Sequence, residues 1–471
     1  MKKILSCILA AFTIIYSAPI SLAADEPQDI ISEAACLIDA ATGQVLFDKN
    51  MHEILEPASI TKIMTAALAL EKGIEPGSTV TMNDDAVWSV GRDTTHVALT
   101  PDEVVNVNDI LYGTLLQSAN DCANGLALFV DGDLEKFAQR MTDKAAEVGA
   151  LNTHFANANG LPDPRHVTTA YDMAMITKWA ITVPGFREVF GENSYTMSPT
   201  NKQPKERNFY HGHKCLNQYS DFYLEYATGG KTGWTEEARN TCVTLAEKDG
   251  MELIAVTLHA QEGKDSYNDT KKLFEYGFKN FNHAEFSKER FSQAPVPVYD
   301  GSEKVGEVNI IPKDVVVTKP STAAKADIKI QFDLPIRYNI SDEIAPKARF
   351  ILNDKVIAEV PVGFTKNISS KNNAPVVSAA AEEEGSRNSS GFHIPAWLCF
   401  TFAFICLVTA ILFGIRSINI IRYNNRMAKR AKMHRRKPAN PNTVHSAHDN
   451  TRVQESRRRA PKRRTPTQRH K

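Results

Sequence analysis

The tightest constraint on the fold is that strand-forming sequence occurs in two places far apart in the chain, and neither place holds enough of it to complete a sheet. The first is Ala34-Ala35-Cys36-Leu37-Ile38-Asp39, followed by Ala41-Thr42-Gly43 and a second apolar run over 44–47, which together predict a hairpin. The second covers 226–234, 240–247 and 252–259, after which 270–281 has the pattern of a closing helix. The sequence between them is mostly helical. After Pro57 the apolar residues Ile60, Ile63, Met64, Ala67 and Leu68 recur at helical spacing up to a stop at Gly73, and helical patterning resumes between residues 105 and 185. The spacing therefore predicts one sheet built from both ends, with residues 30–282 forming a single α+β unit.

Beyond that unit the texture changes. Short alternating segments between 296 and 365, such as Ile328-Lys329-Ile330-Gln331-Phe332, predict a small all-β domain. Residues 369–390 are rich in Ser, Asn, Ala and Glu and have little to bury, as in a linker. From 394 to 415 no residue is charged, and those 22 residues at about 1.5 Å each would extend about 33 Å, enough for a membrane helix. The formal net charge is zero, yet 416–471 holds 18 Lys/Arg against Asp449 and Glu455. A basic tail directly after an apolar span predicts a cytoplasmic end with membrane lipid as its neighbour, and no nucleic acid is expected. Lys2 and Lys3, the apolar run 4–15 and Ser21-Leu22-Ala23 have the order of a cleavable secretory signal. The expected organisation is a signal peptide over 1–23, a catalytic domain over 24–282, a β-rich accessory domain over 283–368, an extracellular linker over 369–393, a transmembrane helix over 394–415 and a cytoplasmic tail over 416–471. Cys36, Cys122 and Cys242 lie in apolar stretches and read as buried thiols, and neither Cys nor His shows metal-ligand spacing, so no cofactor is implied.

Three short motifs carry chemistry. In Ser59-Ile60-Thr61-Lys62, at the start of a predicted helix, the i, i+3 spacing puts a hydroxyl and an amine on one face. The amine acts as a base near neutral pH only if burial and neighbouring positive charge depress its pKa. Ser118-Ala119-Asn120 falls between two predicted helices, where a hydroxyl joins a proton relay and an amide orients a carbonyl. Lys231-Thr232-Gly233 follows Gly229-Gly230 on a predicted strand. Singly, each is as readily a helix end, a cap or a strand lysine. Together, in the order SxxK, SxN, KTG, they form the trio of penicillin-binding proteins and class A β-lactamases.

On these residues, and on the flanking stretches 57–65, 157–161 and 166–174, the region from 30 to 282 resembles the low-molecular-mass D-alanyl-D-alanine carboxypeptidases of the S11 peptidase family. The resemblance implies an α+β fold of the β-lactamase/DD-peptidase kind, peptidoglycan stem peptides as substrates and β-lactams as covalent inhibitors. By position it implies Ser59 as nucleophile, Lys62 as its proton acceptor, Ser118 as relay and Asn120 as substrate-orienting group. Lys231 and Thr232 would hold the terminal carboxylate, the amides of Ser59 and Trp234 would form the oxyanion hole, and Gly233 would admit the substrate backbone to the strand edge. Two positions depart from the pattern: Arg239 stands where Gly is common, and Ala119 where Gly is frequent. His166 reads as a loop pin and Asp172 as a helix-start residue. The same trio serves β-lactamases, but no Glu-x-x-Leu-Asn segment lies between Asn120 and Lys231 to supply a deacylating carboxylate. A cross-link-cutting endopeptidase and a silent wall-binding protein remain the alternatives.

Overall fold

A computed structural model describes residues 26–368, residues 28 and 292 excepted. The signal peptide, linker, membrane helix and basic tail expected from the sequence lie outside the described residues, and among the described residues no helix is long and apolar enough to cross a membrane.

The sheet closes from both ends of its unit. Its five antiparallel strands run in the order Val45–Lys49, Ala34–Asp39, Met251–Ala260, Arg239–Lys248, Ala227–Thr235. Ala34 sits opposite Leu258 and Leu37 opposite Ala255, so the sheet's first strand in sequence pairs with its last. The strands are apolar on both faces because both faces are covered. Ala34, Cys36, Ile38, Ile254 and Val256 pack against the helical layer, whereas Ala35, Leu37, Leu253 and Ala255 pack against the helix Gly263–Asn280. Each Leu, Ile or Phe so buried contributes about 1.5–3 kcal/mol.

The helical layer comprises Lys62–Lys72, Val107–Leu115, Asn120–Asp131, Leu134–Glu147 and Ala170–Ala180. Lys62–Lys72 lies at its centre, buried from Lys62 through Ala69, and its alanines at 66, 67 and 69 let neighbouring helices approach closely. The closing helix starts at Gly263, seven residues before the expected Thr270. Its first two turns are mostly polar, so apolar periodicity gave no sign of them, but a reciprocal cap between Glu262 and Asp265 fixes the start. Two short antiparallel strand pairs, Thr79–Thr81 with Val104–Asn106 and Ser194–Met197 with Arg207–Tyr210, also escaped the sequence reading.

From Phe281 onward the described chain is β-rich. Phe281–Phe286 pairs with Val315–Pro320, and two further sheets of four and three strands enclose separate cores around Phe350 and Val298. This region is tied to the first hairpin. His283 Nε2 lies 2.6 Å from Oδ2 of the buried Asp39, the Thr42 and Thr318 hydroxyls are 2.9 Å apart, and Gln44 Nε2 donates to the Thr318 carbonyl at 3.0 Å. The Asp39 carboxylate raises the pKa of His283. All four cysteines of the described residues, Cys36, Cys122, Cys215 and Cys242, are buried free thiols.

Candidate active site

The three motifs meet at the open edge of the sheet. Ser59 sits in a 3-10 turn, Ala58–Thr61, leading directly into Lys62–Lys72. Lys62 is fully buried, and its Nζ lies 2.9 Å from Ser59 Oγ, 2.7 Å from Asn120 Oδ1 and in contact with the Asn159 carbonyl. The two carbonyl oxygens accept only, so they take two N–H donors of the amine. A neutral amine then has its lone pair left for the Ser59 hydroxyl. Burial holds the Lys62 pKa well below the ordinary lysine value, and the nearby Lys231 charge lowers it further.

Ser118 occupies the turn between Val107–Leu115 and Asn120–Asp131 in the left-handed region, at φ 59°. That conformation is uncommon for a residue with a side chain, and it leaves the Ser118 hydroxyl accepting from Lys231 Nζ at 2.9 Å. Lys231 also donates to the Thr232 carbonyl at 2.7 Å and is buried, which pulls its pKa down to about 7. Asn120 is held in place because its Nδ2 donates to Thr94 Oγ1 at 3.1 Å. Ser59, Ser118, Thr232, Gly233 and Trp234 line one cavity of about 290 Å³, while Lys62, Asn120 and Lys231 stand behind its wall.

Gly233 has a reason within the fold besides the substrate approach expected of it. A Cβ there would sit 2.6 Å from the Ser59 amide nitrogen and 3.0 Å from Ala58 Cβ, so the bare α-carbon makes room for the nucleophile turn of the protein itself. Gly160 does the same from the other side, where a Cβ would lie 2.0 Å from the Ala58 carbonyl oxygen. Arg239 follows the tight connection between the last two strands at φ 54°, a conformation that suits glycine, so the departure from the common residue leaves the turn intact at some local cost. Trp234 is 65% exposed, and the role expected of it uses its backbone.

His166 pins a loop. Thr61 donates to the Ala58 carbonyl and the Ala156 amide donates to His166 Nδ1, which leaves His166 Nε2–H to bond the Thr61 hydroxyl at 2.8 Å. Burial takes its pKa down to about 3, so the ring is neutral. Asp172, in the first turn of Ala170–Ala180, accepts from the Asn152 amide and the Thr153 hydroxyl and does not line the cavity. The sequence reading missed His213. This ring lies behind the KTG strand, with Nε2 3.0 Å from Thr244 Oγ1 and with Cδ2 2.5 Å from where a Cβ on Gly230 would stand. The run His211-Gly212-His213 is its only trace in the sequence.

With this geometry in place, comparison with known proteins is decisive. Residues 21–262 match the profile of the D-alanyl-D-alanine carboxypeptidase family, peptidase S11. The chain belongs to that family. It is 30% identical over 380 residues to D-alanyl-D-alanine carboxypeptidase DacF of Bacillus subtilis, an alignment covering 78% of this chain and 95% of the relative. It is 33% identical over 285 residues to DacC of Escherichia coli, covering 58% and 68% respectively. Among solved structures, penicillin-binding protein 5 of Haemophilus influenzae superposes with a TM-score of 0.61 at 24% identity, covering 74% of this chain and all of that one. Penicillin-binding protein 6B of Escherichia coli gives 0.56 at 24%, over 73% and 98%. The likeness in fold to these two structures covers more of the chain than the family match over 21–262.

Proposed function

We propose that this S11 protein is a serine D-alanyl-D-alanine carboxypeptidase that removes the terminal D-alanine of peptidoglycan stem peptides through an acyl-enzyme on Ser59. The observation that carries this reading is the buried Lys62 amine, 2.9 Å from Ser59 Oγ, with two of its hydrogens committed to carbonyls. Lys62 takes the Ser59 proton as the oxygen attacks the penultimate D-alanine carbonyl. The amides of Ser59 and Trp234 receive the developing oxyanion. Ser118, bonded to Lys231, relays a proton to the departing amine and has it replaced by the one Lys62 took from Ser59, and Asn120 orients the acyl chain. Water then releases the shortened stem.

Lys231 and Thr232 receive the substrate's terminal carboxylate, and that charge selects a free chain end. A carboxylate beside Lys231 also offsets the burial that lowers its pKa. The test is kcat/KM for a stem pentapeptide and for the same peptide amidated, on wild type and Lys231→Ala. The free-acid peptide is expected to lose about 1–3 kcal/mol more than the amide, the worth of a hydrogen bond to a charged group. Equal losses would assign Lys231 to the acylation chemistry and favour an endopeptidase.

The sequence outside the described residues supports an anchored enzyme. The signal-like order over 1–23, the uncharged stretch over 394–415 and the basic 416–471 support a catalytic body outside the cell, a tail inside and membrane lipid around the span. External protease on intact cells should release the body by cutting within 369–390. Protection of the body with loss of the 416–471 tail would invert the topology.

A further inference from the structure

The cavity that holds Ser59 does not end at the KTG strand. It continues round the strand's open edge to the face covered by Gly263–Asn280, where Asn240, Gly263, Ser266 and Tyr267 line it. Alternation along Ala227–Thr235 assigns the faces. Gly230 abuts His213, and the residues opposite Gly230 and Thr232, Thr244 and Cys242, both contact that ring, so even-numbered residues face the helix, while Gly233 abuts the Ser59 amide on the opposite side. A carboxylate held by Thr232 therefore lies on the helix side. The free space beside it is this end of the cavity.

The chemistry of that space is poorly matched to a methyl group. None of the residues lining the cavity is charged. Ser266 is 3% exposed, and its hydroxyl has no hydrogen-bond partner among the described residues. A buried hydroxyl in that position has lost its hydration with nothing in return. Asn240 adds an acceptor: its Nδ2 is committed to the Ala260 and Gln261 carbonyls at 3.1 and 3.2 Å, and its Oδ1 lies 3.3 Å from where a Cβ on Gly263 would stand. An alanine side chain entering here leaves the Ser266 hydroxyl unpaired. A hydroxymethyl group would fill the same space and pair with it.

We propose that Ser266 is a specificity-determining residue and that the enzyme takes stem peptides ending in a small hydroxylated D-residue, D-serine, alongside those ending in D-alanine. The inference rests on the carboxypeptidase reading and on Thr232 holding the carboxylate. The bonds made and broken do not change: the amide to the last residue is cleaved, the leaving amine takes a proton, and water hydrolyses the Ser59 ester. Only the released amino acid differs.

The test uses two pentapeptides differing only in the last residue, with kcat/KM measured on wild type, Ser266→Ala and Ser266→Gly, and with penicillin acylation of each protein as a check that the site is intact. Wild type should hydrolyse the D-serine peptide within about three-fold of the D-alanine peptide, and the D-serine to D-alanine ratio should fall about five-fold in the variants, the equivalent of about 1 kcal/mol. A wild-type ratio below about one-tenth overturns the proposal, as does a ratio unchanged in variants that still acylate. Failure of wild type on both peptides, with no penicillin adduct, would instead remove the carboxypeptidase reading beneath it.

Discussion

Penicillin is expected to leave one covalent acyl group on Ser59 that outlasts the acyl group of a substrate. The nucleophile and its base are in contact, so acylation has what it needs. Rapid deacylation does not, because no carboxylate side chain lines the cavity to activate water. The bulky ring fragment that remains tethered also obstructs the approach of water, whereas D-alanine departs. Intact-mass and peptide-level mass spectrometry of the treated protein should place the adduct on the Ser59 peptide and find none in Ser59→Ala. An adduct that survives that substitution would mean that the reactive serine lies elsewhere.

Replacing Lys62 by Met, which keeps the apolar stem and removes the amine, is expected to lower kcat/KM for a stem pentapeptide by about 10²–10⁴, the usual worth of a positioned base. At its ordinary pKa roughly one lysine in a few thousand is neutral at pH 7. Burial and the Lys231 charge change that for Lys62. The signs set the pH profile. Lys62 acts when neutral, so activity falls as pH drops through its lowered pKa. Lys231 acts when charged, so in the free enzyme activity falls as pH rises through about 7. The profile of kcat/KM should be a bell, and its alkaline limb should move upward in kcat, where the bound carboxylate keeps Lys231 protonated. A Lys62→Met enzyme within ten-fold of wild type would mean that another group serves as the base.

The side chains that meet at the candidate site were legible in the sequence because each lies in a short motif with a fixed spacing. Ser59 and Lys62 are one helical turn apart, and Lys231 and Thr232 adjoin the glycine that the strand requires. What supports them was not legible. The third partner of Lys62 is the Asn159 backbone carbonyl, a group that every residue possesses and no residue type advertises. Ser266 and Tyr267 lie in polar turns that apolar periodicity cannot register, so the helix carrying them was started too late. Beside the substrate approach expected of it, Gly233 permits that of Ser59, 174 positions earlier, which only the closed fold brings near. The sheet was read correctly because its strands are apolar on both faces and could not be left as a hairpin at one end of the chain.

The pairing of Ala34–Asp39 with Met251–Ala260 also sets when the enzyme comes into being. As the polypeptide is synthesised, Ser59 and Lys62 emerge early, but the strands that wall them in follow only from residue 227 onward. Until those strands dock, the Lys62 amine is hydrated, carries its ordinary charge and leaves Ser59 an unreactive alcohol. Contacts between such distant segments also form slowly. A nascent or truncated chain that stops short of Met251–Ala260 should therefore be inert toward both substrate and antibiotic, its reactivity waiting on the closing of the sheet.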